Sequence, residues 1–199
     1  MSFTKFALDT FISEKIIMVT ECNLKDMNID FPNSQKWVSG FGLMVMFQNQ
    51  PPEDKRHLAL QFLRRAEMAF SEYERARISL LDHIKGAPRW SPYFQALYHI
   101  ELTIALLYQV AECSTEELKI PLFEKKDGSS IDRIRLINNA TKHHLAVDEQ
   151  TVWLTNKGVK SKKSSVSYVE LEALLNEYGS IANIMTDSNK LNEYIQNNA

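Results

Sequence analysis

The residues best suited to chemistry lie together in one predicted helix near position 140. Four polar residues fall on one face of it at helical spacing: Arg135, Asn139, Lys142 and His143. Arginine offers phosphate a forked pair of donors, and histidine transfers protons near neutral pH. Metal-independent RNA cleavage needs a base for the ribose 2′-hydroxyl and positive charge for the developing phosphorane. This face is therefore a candidate phosphodiester site, although a solvated polar face is the simpler alternative.

Two adjacent asparagines, Asn138 and Asn139, interrupt the same predicted helix. Asparagine is a poor helix former, so we expect another requirement to select them, namely positioning of the phosphate. The core-facing side of the helix is predicted to carry Ile134, Ile137, Thr141 and Leu145. Adjacent His143 and His144 point about 100° apart on a helix, so we predict no metal site there.

The elements that must position this segment are mainly helical. Apolar residues recur every three or four positions over 53–85, which predicts a long amphipathic helix. Ser91 and Pro92 form a predicted N-cap and first turn for a second long helix that reaches Glu112. The helix with the candidate site is predicted over 131–145, and a capping box of Ser167 with Glu170 starts the last helix.

Other segments are less clearly patterned. A first helix is predicted over 4–19, while 37–47 fits either a buried helix or two short strands. Residues 150–166 fit a small β-hairpin or an ordered loop around the Asn156-Lys157-Gly158 turn. We predict a mainly α chain that forms one compact unit, with residues 1–50 as an N-terminal helical extension packed on a helical domain of residues 51–199.

Composition limits the candidate partners. The chain has 199 residues, 44% of them hydrophobic, which is enough for one sizeable core. Lys and Arg total 23 against 25 acidic residues, so any surface that attracts nucleic acid must be local. One such surface is a basic run containing Lys160 and Lys162 near Trp153, where charge and stacking would track a nucleic-acid backbone. A solvated loop is the alternative for this run.

The sequence also predicts a location. Cys22 and Cys113 lie far apart without CxxC spacing, as expected of a reduced cytoplasmic protein. The first residues lack a continuous apolar region and a cleavage site, and the longest apolar stretch is too short for a bilayer. We therefore predict no membrane association. Motifs typical of kinases, common hydrolases and redox proteins are missing, and no cofactor is expected.

Two long helices followed by a short helix that ends in Asn-Asn-Ala-Thr-Lys-His resemble the HEPN superfamily, small helical bundles of prokaryotic defence and stress systems. The signature of that family is an arginine, usually followed by a polar residue, and a histidine after four to six intervening residues. If His143 is the signature histidine, Asn138 stands at the arginine position and Asn139 at the polar position. The chain departs from the family here, because the arginine is absent at the standard spacing.

A bacterial group of HEPN-like proteins also resembles this chain in the runs 95–101 (Gln-Ala-Leu-Tyr-His-Ile-Glu) and 152–158 (Val-Trp-Leu-Thr-Asn-Lys-Gly). The similarity covers residues 62–178. It implies a HEPN-like helical bundle, a homodimer in which two signature helices form one cleft, RNA as the ligand and a protein partner encoded nearby. The family contains ribonuclease toxins, dimerising accessory domains and inactive binding modules.

These observations lead to one catalytic hypothesis and two rivals. In the catalytic hypothesis, His143 is the general acid or base, Arg135 and Lys142 hold the phosphate, and Asn138 and Asn139 position it. Glu101 either orients His143 or is a hydrogen-bonded carboxylate of the core. The first rival is a non-catalytic module that binds a nucleotide or a protein through the same face. The second is a polar dimer seam without a ligand. The tyrosine that adenylylating partners modify in some family members is absent, which argues against that form of control.

Overall fold

Helices make up most of the computed structural model, which describes residues 18–47, 53–85, 90–117, 123–142, 152–187 and 189–190. The helices are α1 (Met27–Asp30), α2 (Trp37–Phe47), α3 (Glu53–Ile84), α4 (Trp90–Glu117), α5 (Ser130–Lys142) and α6 (Tyr168–Met185), with a 3₁₀ turn over Ser34–Lys36. The strands are β1 (Trp153–Thr155), β2 (Gly158–Lys160) and β3 (Ser165–Ser167). The prediction of a mainly α chain with a small β element is confirmed.

The centre of the fold is the antiparallel pair of α3 and α4. Arg65 in the first half of α3 contacts Gln109 late in α4, whereas His83 at the end of α3 stacks edge-on against Tyr93 at the start of α4. The apolar stripe that predicted α3 is buried along this seam, as periodicity requires. Its fully buried members include Leu63, Ala66, Ala69, Tyr73, Ala76 and Leu80 on α3, and Ala96, Ile100, Ile104 and Leu107 on α4.

The two ends of α4 differ from their prediction. Ser91 was predicted as the N-cap, but the helix already begins at Trp90. Ser91 and Pro92 therefore lie in the first turn, where the missing N–H of proline removes no helical hydrogen bond. At the other end, α4 continues past the predicted boundary at Glu112 to Glu117, through polar residues that carry no periodic signal.

Residues 37–47, which the sequence left as a helix or two strands, form the helix α2. One side of α2 packs on α3, where the Trp37 ring meets the Phe70 ring edge to face at 4.9 Å between centroids. Trp37 donates its indole N–H to Asn183 of α6 at 2.8 Å, so this buried polar group is satisfied. The hydrophobic core joins residues on both sides of position 50, including Trp37 and Tyr178.

Of the two alternatives for residues 150–166, the structure has the hairpin and adds a third strand to it. β1 and β2 are antiparallel across the two-residue turn Asn156–Lys157, and β3 adds antiparallel to β2. Gly158 is needed where β2 pairs with Ser167 of β3, because a Cβ at that position would clash with the backbone of Val166 and Ser167. A three-residue strand such as β3 is too short to show alternation in the sequence.

The start of α6 and the N-terminal segment both fasten the sheet. The predicted capping box is confirmed: Ser167 Oγ accepts from the backbone N–H of Glu170, and Glu170 accepts from the backbone N–H of Ser167. Asn156 in the β1–β2 turn accepts from the backbone N–H of Thr20 and donates its side-chain amide to Thr20 Oγ1. The described part of the N-terminal extension is therefore tied to the sheet.

Some predicted features lie outside the described residues. They are nearly all of the predicted helix over 4–19, the boundary placed at residue 50, and residues 143–145 at the end of the predicted third helix. Within the described ranges, none of the helices combines the length and the hydrophobicity that a membrane span needs.

Candidate functional site

The candidate-site helix α5 begins one residue before its predicted start and packs on α4 and β3. Ser129 precedes it as a cap, since the Ser129 hydroxyl accepts from the backbone N–H of Asp132 at 3.1 Å. Ile134 and Ile137 are fully buried, as predicted for the core-facing side. Thr141 is only partly buried, and Leu145 lies outside the described residues. Arg133 pairs with Glu170 and so connects α5 to the beginning of α6.

Arg135, predicted to hold phosphate, is engaged inside the protein. Its Nε and Nη2 donate to Asp132 Oδ1 at 3.0 Å and 2.7 Å, and its side chain is only 14% exposed. Asp132 also accepts from the backbone N–H of Lys126 at 3.1 Å. Burial opposes ionisation of Asp132, but these donors hold the pKa of its carboxyl below the usual range. Arg135 must leave this ion pair before it can use the same donors on a phosphate.

The two asparagines have different surroundings. Asn138 is 2% exposed, and its side-chain Nδ2 has no hydrogen-bond partner among the described residues. It lies on the inner side of α5, about one helical turn after Ile134 and directly after Ile137. Asn139 is partly exposed. Of the pair, only Asn139 is open to a ligand that arrives from solvent.

The rest of the predicted face lies at the end of α5. Lys142 is the last residue of the helix, but its side chain, His143 and His144 fall outside the described residues. The described part of the predicted catalytic face therefore consists of Arg135 and Asn139. The predicted contact between Glu101 and His143 likewise falls outside the described part of the chain.

Glu101 on α4 is a half-buried carboxyl group. Burial raises its pKa to about 7. A carboxyl group with such a pKa is close to half protonated at neutral pH, which is the range in which it can exchange protons. The raised pKa makes Glu101 a source of pH-dependent stability.

Replacement of Glu101 by glutamine is expected to stabilise the protein at pH 8 and not at pH 4. Because the folded pKa of about 7 exceeds the unfolded value, the folded state binds the extra proton between these values and loses stability as pH rises through them. With allowance for partial exposure, the gain at pH 8 is about 1–2 kcal/mol. Urea unfolding across pH 4–8 measures it, with the exposed Glu124→Gln as control. A gain that does not change with pH would contradict the assignment.

A second candidate site is a groove of about 680 Å³ along the outer face of the sheet. Leu154, Val159 and Val166 form the inner row of the register and are each 1% exposed. Because side chains alternate across a sheet, the neighbouring row of Trp153, Lys160 and Ser165 is on the opposite face. Both Trp153 and Lys160 line the groove, with Met18 from the N-terminal segment beside them.

The groove has lysines at both ends of β2, Lys157 in the turn before it and Lys160 at its last position. Lys157 and Lys160 line it and are exposed, and Lys162 and Lys163 are exposed in the bend that follows β2. Glu170 is the acidic residue in the lining, and it is already paired with Arg133 and bonded to Ser167. The predicted contacts Lys160 and Lys162 are thus on the sheet and its bend, not on α5.

The sequence analysis missed a polar cluster between α3 and α4. Glu72 accepts from Arg75 Nη1 at 2.7 Å and lies 2.6 Å from His99 Nδ1. The sequence places His99 in the 95–101 run of the predicted second long helix, but it did not single out Glu72. Glu72 lies beside the buried stripe of α3 at 8% exposure, and a carboxylate at such a position is the signal that would have found it.

Neither a search for metal ligands nor a comparison with known proteins identifies a function for these sites. Across the described ranges, no three His, Cys, Asp or Glu side chains are grouped closely enough to hold a metal ion. No protein-family model matches the chain, and no curated protein or solved structure matches it significantly.

Proposed function

We propose that this protein binds single-stranded RNA in the groove on the outer face of its sheet, as a HEPN-like protein of bacterial stress or phage defence. The observation that carries the proposal is the pairing of Trp153 with Lys160 across β1 and β2, within a groove that also contains Lys157. An aromatic ring accepts a base by stacking, and nearby ammonium groups neutralise phosphates. The choice of RNA as the ligand and of defence as the biological role follows from the resemblance to the HEPN superfamily.

A single strand fits this surface better than a duplex. The stacking role of Trp153 requires an unpaired base, because bases in a duplex are already stacked on one another. Each strand of the sheet has three residues, and at about 3.3 Å per residue it spans about 10 Å, enough for only a few nucleotides. A duplex would contact such a face mainly through phosphates.

Lys160→Glu is expected to weaken binding of single-stranded RNA about tenfold and to reduce the salt dependence by about one phosphate contact. Fluorescence anisotropy of a labelled 12-nucleotide strand, beside its duplex, measures both. Lys36→Glu makes the same charge change at an exposed position outside the groove and is the control. Equal loss in both variants would indicate a general charge effect and contradict the groove. Tighter binding of the duplex would contradict the preference for single strands.

Cleavage of the bound RNA is a second candidate function. It is favoured by the signature-like run that ends at His143 and by the exposure of Asn139 on the last turns of α5. In this scheme His143 transfers the proton. Because Arg135 is paired with Asp132, the positive charge at the phosphate comes from Lys142 and from a second copy of the chain. A homodimer and a protein partner encoded nearby belong to the same proposal.

Metal-free digestion of a labelled mixed RNA pool separates the binder from the nuclease. If His143 is catalytic, the wild-type protein cuts the pool and His143→Ala does not, since a missing general base costs about 100-fold or more. If neither protein cuts while both bind, the protein is a binding module. If both cut equally, catalysis belongs to another residue.

A further inference from the structure

Ser165 differs from the other serines of the segment 161–167, which forms the bend after β2 and the strand β3. The hydroxyls of the other three serines donate hydrogen bonds inside the protein, two to backbone carbonyls and one to a carboxylate: Ser161, Ser164 and Ser167. The side chain of Ser165 is exposed, and its hydroxyl makes no hydrogen bond to any described residue. Among the serines of this segment, Ser165 therefore has the hydroxyl that is open to a reagent from solvent.

Ser165 also lies in the groove that is proposed to bind RNA. In the strand register it pairs with Lys160, which in turn pairs with Trp153, so the three residues form one row on the outer face. The Cβ atoms of directly paired residues lie about 4.5–5.5 Å apart. A phosphate group on the Ser165 hydroxyl is therefore within reach of the Lys160 ammonium group.

The chain around Ser165 has features of a kinase substrate. In the described sheet β3 is an edge strand, since the strand order is β1-β2-β3. Lys162 and Lys163, three and two residues before Ser165, are both exposed. An extended edge segment offers its backbone for pairing, and two lysines match a substrate groove that is lined by carboxylates. These features favour a serine kinase that selects basic segments.

We propose that Ser165 is a phosphorylation site and that its phosphate releases RNA from the groove. The inference rests on the proposed RNA binding. The phosphate donor is the nucleoside triphosphate of a serine kinase. Ser165 Oγ forms a bond to the γ-phosphorus, and the bond from this phosphorus to the β,γ-bridging oxygen breaks. The nucleoside diphosphate leaves with that electron pair, and a base of the kinase takes the hydroxyl proton.

The phosphate weakens RNA binding through its charge. A phosphoserine carries about −1.5 to −2 charges at pH 7. It pairs with Lys160, which is then no longer available to an RNA phosphate, and it repels the RNA phosphates that enter the groove. It also offsets about half of the positive charge of the lysines in and beside the groove. These are Lys157, Lys160, Lys162 and Lys163.

Phosphoserine incorporated at position 165 during translation tests the effect on RNA binding. We expect it to weaken binding of a labelled single strand of about 12 nucleotides at least tenfold, because one phosphate contact is lost and repulsion is added. Phosphatase treatment should restore the affinity, and Ser165→Ala should bind as the wild-type protein does. Phosphoserine at position 39 is the matched control, since Ser39 is exposed in the first turn of α2, outside the groove.

A kinase reaction tests the site itself. The wild-type protein is incubated with ATP and the catalytic subunit of a kinase that prefers basic residues before serine, and mass spectrometry locates the phosphate. We expect phosphate on Ser165 of the wild-type protein. The double variant Lys162→Ala, Lys163→Ala should be phosphorylated at a rate about tenfold lower or less, because the charge that attracts the kinase is gone.

The outcomes separate the phosphorylation site from the RNA site. If phosphoserine at position 165 lowers the RNA affinity no more than phosphoserine at position 39 does, the regulatory role is wrong and RNA binding stands. If the kinase leaves Ser165 unmodified, whether or not it modifies Ser161 or Ser164, the site is wrong. If unmodified wild-type protein does not bind single-stranded RNA, both proposals fail.

Discussion

Asp132→Ala is expected to lower the free energy of unfolding by about 3 kcal/mol, the loss that follows when one partner of a buried ion pair is removed. Asp132 is 3% exposed and accepts from Arg135 and from the backbone of Lys126. Without it, the Arg135 guanidinium stays in a setting where its side chain is 14% exposed and has lost its counter-charge.

Urea unfolding at pH 7 measures this loss. Asp30→Ala is the matched control, since it breaks an ion pair with Lys25 whose side chains are 50% and 36% exposed, and it should cost less than about 1 kcal/mol. The double variant Asp132→Ala with Arg135→Leu should recover much of the stability, because it removes the isolated charge. Equal losses for Asp132→Ala and Asp30→Ala would contradict this account of α5.

A lower pH should reduce the difference in the free energy of unfolding between wild-type protein and Asp132→Ala. The folded pKa of Asp132 is lower than its unfolded value, since the Lys126 N–H and Arg135 outweigh its burial. Its contribution is therefore complete above the unfolded pKa of about 3.9 and is lost as pH falls through the folded value.

Trp153→Leu is expected to weaken binding of single-stranded RNA by about 5-fold to 150-fold, because stacking of one base on an aromatic ring is worth about 1–3 kcal/mol. Leucine retains apolar volume at the sheet but has no ring face for a base. The loss should be the same at low and high salt, unlike that of Lys160→Glu, since stacking releases no counterions.

The matched control is Phe47→Leu, which removes an aromatic ring that is 80% exposed at the end of α2, away from the sheet groove. Anisotropy titrations of both variants, together with thermal unfolding, distinguish lost stacking from lost folding. If the folded Trp153→Leu variant binds RNA with wild-type affinity, the proposed stacking of a base on Trp153 is wrong.

The long helices were predictable because their apolar residues repeat over many turns, as in α3. The position of a residue within such a repeat also predicts whether it is buried, and it corrects an interpretation that relied only on a residue being polar. Asn138 follows Ile134 by four residues and Ile137 by one, a phase that places it inside, yet its amide was taken as a ligand contact. Glu72 was overlooked in the same way beside buried Tyr73. Burial follows helical phase even where the residue is polar.

The sheet groove was only partly predictable. The turn at Asn156–Lys157 predicts a hairpin, and the lysine run suggested a basic surface near Trp153. The pairing of Trp153 with Lys160 depends on the strand register, which the two-residue turn sets. The third strand extends the outer face of the sheet by pairing with β2. The ion pair between Arg135 and Asp132 could have been anticipated from their i, i+3 spacing.

Photocrosslinking of 4-thiouridine RNA to the wild-type protein, followed by mass spectrometry of the peptides, tests the RNA site most directly. The account predicts crosslinks within residues 152–167, which contain Trp153 and Lys160, and their loss in Lys160→Glu. Crosslinks confined to the α3–α4 seam or to the N-terminal segment, with none in the sheet, would contradict RNA binding in the groove.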